Sequence, residues 1–204
     1  MDTSLIVLGD ESLSPDRVLP LLSGRFGRPY AYFERCDSTQ RELAVDAPEG
    51  AVAVAEEQTA GRGRLGRSWL APPRTSVLVS VNLRPNVPSA RLPELTVVSG
   101  EAVAGAIAKE TGLQPGVKFP NDVLIAGRKV AGILAEARDG RVVLGIGINA
   151  NLAPEQLPQD VDTPPTSLQI EHGAPVDRAK LLAAVLVRLE TAYDAWISEA
   201  GRAD

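Results

Sequence analysis

The sequence predicts an α+β domain, and three observations carry that prediction. Segments 92–112 and 176–200 repeat apolar residues at helical spacing, through Leu95, Val98, Val103 and Ile107 in the first, and Leu181, Leu182, Val185, Leu189, Ala192 and Trp196 in the second. Segment 75–83 is β-branched and aliphatic, as a buried strand is. Two turn signals, Ala126-Gly127-Arg128 and Asp139-Gly140, join strand-like segments directly to one another. Strands in hairpins mixed with helices indicate α+β rather than an alternating doubly wound sheet.

The elements follow in order. Ser14-Pro15-Asp16 starts a helix with proline in its first turn, and Pro20 and Gly24 limit it to about two turns. Residues 30–33 read as a strand. Thr39-x-x-Glu42 is a capping-box spacing, so a helix is expected to begin there and to present free N–H groups. Residues 51–56 form a strand entering a glycine–arginine loop, and 75–83 the strand leaving it. Helix 92–112 ends at Gly112, and its Gly100 and Gly105 allow close packing. The short strand 117–119 is halted by Pro120, after which 122–125, 129–136 and 141–149 form a meander. Residues 151–165, rich in proline and acids, read as a surface loop. The last helix has Asp177 as its cap and Gly201 as its stop.

Composition narrows the function. The 204 residues suit one domain with a real core. Cys36 is the one cysteine, so no internal disulfide forms and a reducing cytoplasm is the expected setting. No run of eighteen apolar residues exists, and residues 4–8 are too short and acid-flanked for a signal peptide, so no membrane partner is expected. A net charge of −5 and a pI near 5.1 argue against nucleic acid as a partner. The single histidine, His172, lies in a turn-like stretch and is expected at the surface.

Against that acidic background, Gly61-Arg62-Gly63-Arg64-Leu65-Gly66-Arg67 packs three glycines and three arginines into seven residues. Glycine lets backbone N–H groups approach a ligand, and arginine offers a planar fork to carboxylate and phosphate. The spacing matches G-x-G-x-x-G and resembles a Walker A loop, but both need a helix immediately afterwards, and Pro72 and Pro73 forbid a long one. A ligand-free surface turn stays open on these residues alone. So do plain structural readings of the others: Ser38 and Thr39 as caps, Pro120-Asn121-Asp122 as a turn, Lys129 on a hairpin tip. Gly145 and Gly147 inside a strand mark close approach of a backbone or ligand.

Taken as an ordered series, Asp37-Ser38-Thr39-Gln40, Glu57 to Trp69, Lys118-Phe119-Pro120-Asn121-Asp122, Arg128 to Leu134 and Gly145-Ile146-Gly147-Ile148-Asn149 resemble the catalytic domain of biotin protein ligases, over roughly residues 30–200. The resemblance implies a mixed, mostly antiparallel sheet packed against helices, of the kind seen in class II aminoacyl-tRNA synthetases. It implies one catalytic domain over 1–204, with neither an N-terminal helix-turn-helix domain nor the family's C-terminal β-barrel. It implies a ligase that uses ATP, with Mg²⁺, to make biotinyl-5′-AMP from biotin, then biotinylates a lysine of a biotin carboxyl carrier protein. Oligomeric state is open, a homodimer included.

Residue by residue, the resemblance places Ser38, Thr39, Gln40 and Gln58 at the biotin ureido ring. Gly61, Arg62, Gly63 and Arg64 become a lid that orders over biotin and its adenylate. Lys129 is assigned to the biotin carboxylate and α-phosphate, with Arg64 and Asp122 as its catalytic companions. Gly132 allows close approach to biotin. Arg64, Arg67, Trp69, Lys118, Asn121 and Asn149 serve the nucleotide, and Asp122 a metal ion. Two positions depart from the pattern: Gln40 where asparagine is frequent, and Phe119 where tryptophan is. The competing readings are a lipoate or octanoate ligase or transferase, a biotin-responsive regulator, and a biotin-binding protein without transfer activity.

Overall fold

The computed structural model describes residues 12–69, 71–159 and 161–200. Seven strands form one sheet in the order β1-β2-β3-β7-β6-β5-β4. They are β1 (Tyr30–Phe33), β2 (Val52–Ala55), β3 (Ser76–Leu83), β4 (Gly116–Lys118), β5 (Asp122–Ile125), β6 (Arg128–Arg138) and β7 (Arg141–Asn149). Only β1 and β2 pair in parallel; every other pair is antiparallel. The expected mixed, mostly antiparallel sheet is therefore what forms.

Strand alternation divides the sheet into two faces. Val77, Val79 and Val81 of β3, with Leu144, Ile146 and Ile148 of β7, join the main core. Two helices cover them: α3 (Glu94–Thr111), through Val103 and Ile107, and α5 (Arg178–Ala200), through Leu182, Val185 and Leu189. The other face carries Ser76, Leu78 and Ser80, which lie opposite Asn149, Gly147 and Gly145. Across the next pair Gly132 faces Gly147 and Leu134 faces Gly145. Three glycines on adjoining rungs leave bare backbone in the middle of that face, which makes a trough.

Both hairpin turns have positive φ at two successive residues, as a type I′ turn demands: Ala126 (48°) with Gly127 (79°), and Asp139 (52°) with Gly140 (70°). Gly112 closes α3 in the left-handed conformation. Gly100 permits the expected close approach, since a Cβ there would lie 3.2 Å from Val117. Asp177 caps α5, accepting from the N–H groups of Ala179 and Lys180 at 3.0 and 3.1 Å. Gly201 lies outside the described residues.

The first helix, α1 (Pro15–Val18), is one turn continued by a 3₁₀ turn over Leu19–Leu21, together the two turns expected. Two elements differ from expectation. The helix expected from Thr39 is one turn, α2 (Thr39–Glu42), with Ser38 at its N-cap position and no capping side-chain bond. The capping box is not made because Thr39 commits its N–H and hydroxyl to Gln58 Oε1, at 2.7 and 3.0 Å. A short helix, α4 (Leu168–His172), follows the loop; Ser167 caps it and Gly173 ends it. Five residues are too few to show periodicity in sequence. His172 is exposed there, as expected.

Candidate active site

The trough is the floor of a cleft of about 1210 Å³ including its open mouth. At its inner end Thr39 bridges Gln58 and Ser80, whose hydroxyl lies 2.7 Å from that of Thr39. With Gln58 Oε1 taken, its amide nitrogen is left beside Gly61 at the base of the arginine loop. Ser38 and Gln40 complete this end. Gln40 directs its NH₂ to the carbonyls of Leu134 and Val143 (3.1 and 3.4 Å), so its amide orientation is set by scaffold contacts.

The loop itself is closed by main-chain bonds. Gly63 N–H donates to Arg67 O at 2.7 Å and Trp69 N–H to Gly61 O at 2.9 Å. Gly61 is required for packing, since a Cβ would lie 2.3 Å from Trp69 O. Arg62 pairs with Glu136 at 2.9 Å, and Arg64 donates to Asn121 Oδ1 at 3.3 Å. The loop thereby lies across the cleft. Asn121 is a brace as well as a wall, because its amide also donates to Ile133 O.

Midway along the cleft, Lys129 Nζ lies 2.6 Å from Asp122 Oδ1. It also lies 5.7 Å from the centroid of the Trp69 ring, within cation–π range. Trp69 rests on the trough: a Cβ on Gly147 would lie 2.5 Å from its ring, and one on Gly132 2.9 Å. The indole Nε1 is buried and donates to no described partner. Such a donor is costly in a folded protein unless something completes it. The start of β6 is pinned through Lys129, whose N–H donates to Pro164 O and whose carbonyl accepts from Thr166. At the outer end Asn149 donates to Thr166 O at 3.0 Å, and Arg67 lies 3.5 Å from Asp162.

Of the residues named from sequence, only Gly61 and Lys118 stand outside the cleft wall. Gly61 shapes the loop base, and Lys118 is tied to Thr163 at 3.0 Å. Sequence reasoning did not name Ser80 or the segment 161–163. A small polar residue flanked by Val79 and Val81 in a mostly apolar strand was the available signal for Ser80; the loop segment had none. No group of three or more His, Cys, Asp or Glu able to hold a metal occurs among the described residues. Asp122 offers one carboxylate, which fits Mg²⁺ arriving already bound to phosphates. Burial, aided by Glu42 and Asp37, pushes the Cys36 thiol up to about 11, so it stays protonated near neutrality and is no nucleophile.

A polar inner end, a central lysine and an arginine loop on a mostly antiparallel sheet make a cleft whose charge suits anionic groups. Residues 32–152 match the model of the Biotin/lipoate A/B protein ligase family, and the chain belongs to that family. It is 40% identical over 176 residues to the bifunctional ligase/repressor BirA of Bacillus subtilis (strain 168), a match that covers 82% of this chain and 54% of that protein. It is 40% identical over 168 residues to a biotin–[acetyl-CoA-carboxylase] ligase of Mycobacterium tuberculosis, covering 78% of this chain and 62% of that one. Among solved structures, the biotin protein ligase from Aquifex aeolicus in complex with biotin and ATP aligns with TM-score 0.75 and 32% identity, over 83% of this chain and 72% of that chain. The fold is the class II aminoacyl-tRNA-synthetase-like fold of these ligases. The chain spans about half the length of the curated relatives it matches first.

Proposed function

We propose that the chain is a biotin–protein ligase acting in two steps in the cytoplasm. A biotin carboxylate oxygen attacks the α-phosphorus of ATP; the bond to the β-phosphate oxygen breaks, giving biotinyl-5′-AMP and pyrophosphate. The neutral ε-amine of a lysine on a biotin carboxyl carrier protein then attacks the acyl carbon. The C–N bond forms, the C–O bond to AMP breaks, and the amine proton passes to water.

The observation that carries this reading is the position of Lys129. It sits between the polar inner end and the arginine loop, where a carboxylate and an α-phosphate must meet. Its ammonium and the Arg64 guanidinium offset the repulsion between two anions and the charge that develops as they join. Ser38, Thr39 and Gln58 present the polar groups that suit a ureido ring. The glycine trough seats side chains, with Gly132 and Gly147 beneath the Trp69 indole and Gly145 beneath Gln40, so Gly132 serves biotin through the indole it admits rather than by direct approach. Arg67, Trp69 and Asn149 border the nucleotide end, with Lys118 at its rim. Mg²⁺ would enter with ATP, shielding phosphate charge, and Asp122 is the carboxylate placed to contact it. The protein needs no covalent intermediate, consistent with a protonated Cys36.

ATP–pyrophosphate exchange with biotin, followed by labelled-biotin transfer to a carrier domain, tests this. Biotin should support exchange and the carrier should become labelled. Exchange with lipoate but not biotin would overturn the reading.

A further inference from the structure

Among the described residues five large apolar side chains are exposed: Leu21, Val45, Leu65, Phe119 and Val161. Three of these border the mouth of the cleft, on three different segments. Leu65 lies between Arg64 and Arg67, Phe119 between Lys118 and Asn121, and Val161 beside Asp162 and Thr163. Polar contacts tie those segments into one rim: Arg64 to Asn121, Lys118 to Thr163, and Arg67 to Asp162. Leu65 is 88% and Phe119 77% exposed, so neither serves the core. Leu65 also has φ of 58°, a conformation that glycine or asparagine adopts at less cost. A branched apolar residue kept both strained and solvated points to a role outside the folded monomer.

We infer that Leu65 and Phe119 are apolar anchors on which the acceptor protein seats for the second step; this rests on the proposed ligase activity. The acyl carbon would lie near Lys129, inside the cleft, so the folded protein carrying the target lysine must press its surface against this rim. The anchors face outward rather than into the cleft wall, which assigns them to the large substrate and not to biotin or ATP. Apolar and aromatic side chains at the centre of a contact, ringed by charge, are what concentrates binding energy between proteins. Arg62 with Glu136, Arg67 with Asp162, and Lys118 supply a ring of both signs, so the matching acceptor surface is apolar next to its lysine and polar around it.

The test uses Phe119→Ser, Leu65→Ser and the double variant. Three readouts are compared with the unsubstituted protein: ATP–pyrophosphate exchange with biotin, capture of preformed adenylate by hydroxylamine, and transfer to a biotin carboxyl carrier domain. Exchange and hydroxylamine capture should stay within about twofold, while KM for the carrier rises about tenfold or more in the double variant. Unchanged carrier kinetics would overturn the assignment. So would loss of exchange, which would mean the residues close over biotin or ATP, or loss of self-association by sedimentation, which would make the rim an interface between copies. Absence of exchange in the unsubstituted protein would count against the ligase reading rather than the anchors.

Discussion

Lys129 differs from a surface lysine in that three constraints act on one side chain. Asp122 holds its ammonium, Trp69 stacks beside it, and the main chain on either side is pinned to the 164–166 segment. Lys129→Ala should remove ATP–pyrophosphate exchange by about 10²-fold or more while circular dichroism stays unchanged. Exchange at the unsubstituted rate would take Lys129 out of the mechanism. Arg64 touches the rest of the site through Asn121, so Arg64→Ala should speed release of the adenylate, read by stopped-flow dissociation. Cys36 gives a pH test. With its thiol raised to about 11, iodoacetamide should react slowly at pH 7, and faster as pH climbs through 9 and 10 towards that value. An inflection near the ordinary thiol range, about 8.5, would show that burial is not setting it.

At the scale of elements, the glycines of β6 and β7 matter as a set. Gly132 and Gly147 face each other under the Trp69 indole, and Gly145 lies under Gln40. Adding a methyl group at Gly147 must displace the indole, because the new carbon would lie 2.5 Å from it. Gly147→Ala should therefore raise the KM for ATP about tenfold, since Trp69 borders the nucleotide end; an unchanged KM would show that the seat of the indole does not govern nucleotide binding. The strands themselves were legible: Tyr30–Phe33 and Arg141–Asn149 occur where the pattern placed them. The helix expected at Thr39 begins there but stops after one turn, where Leu43 turns extended (ψ 115°) and is buried with Ala51, Ala53 and Val143.

Across the whole molecule, one buried ion pair joins distant segments. Arg178, at the start of α5, donates to Glu56 at 2.7 Å and to Ser76 O at 2.9 Å, and Glu56 also accepts from the Leu13 N–H. Both side chains are essentially buried, at 0% and 1% exposure, so removing one charge strands the other. Glu56→Gln should cost about 3–5 kcal/mol in urea unfolding. A cost under about 1 kcal/mol would mean the pair is solvated or dispensable. Glu56 precedes Gln58 by two residues, so this brace also sets where the arginine loop leaves the sheet. Biotin at about a hundred times its Kd should add about 2.7 kcal/mol, a rise of several degrees in Tm.

The sequence by itself determined most of the elements, the hairpins and the residue types of the site, because periodicity, turn chemistry and the Gly-Arg loop are local properties of the chain. It also carried the family resemblance, since an ordered series of short motifs survives without any knowledge of contacts. Only the tertiary structure decided which polar groups are spent on scaffold and which are left for ligands. Asn121, Asn149 and Gln40 read as ligand contacts in sequence, yet each donates to a main-chain carbonyl brought from elsewhere in the chain. The strand order brought Ser80 beside Thr39, and the loop path brought Val161 to the mouth. Contacts between residues tens of positions apart depend on sheet register and loop closure, and no local pattern of residues encodes either.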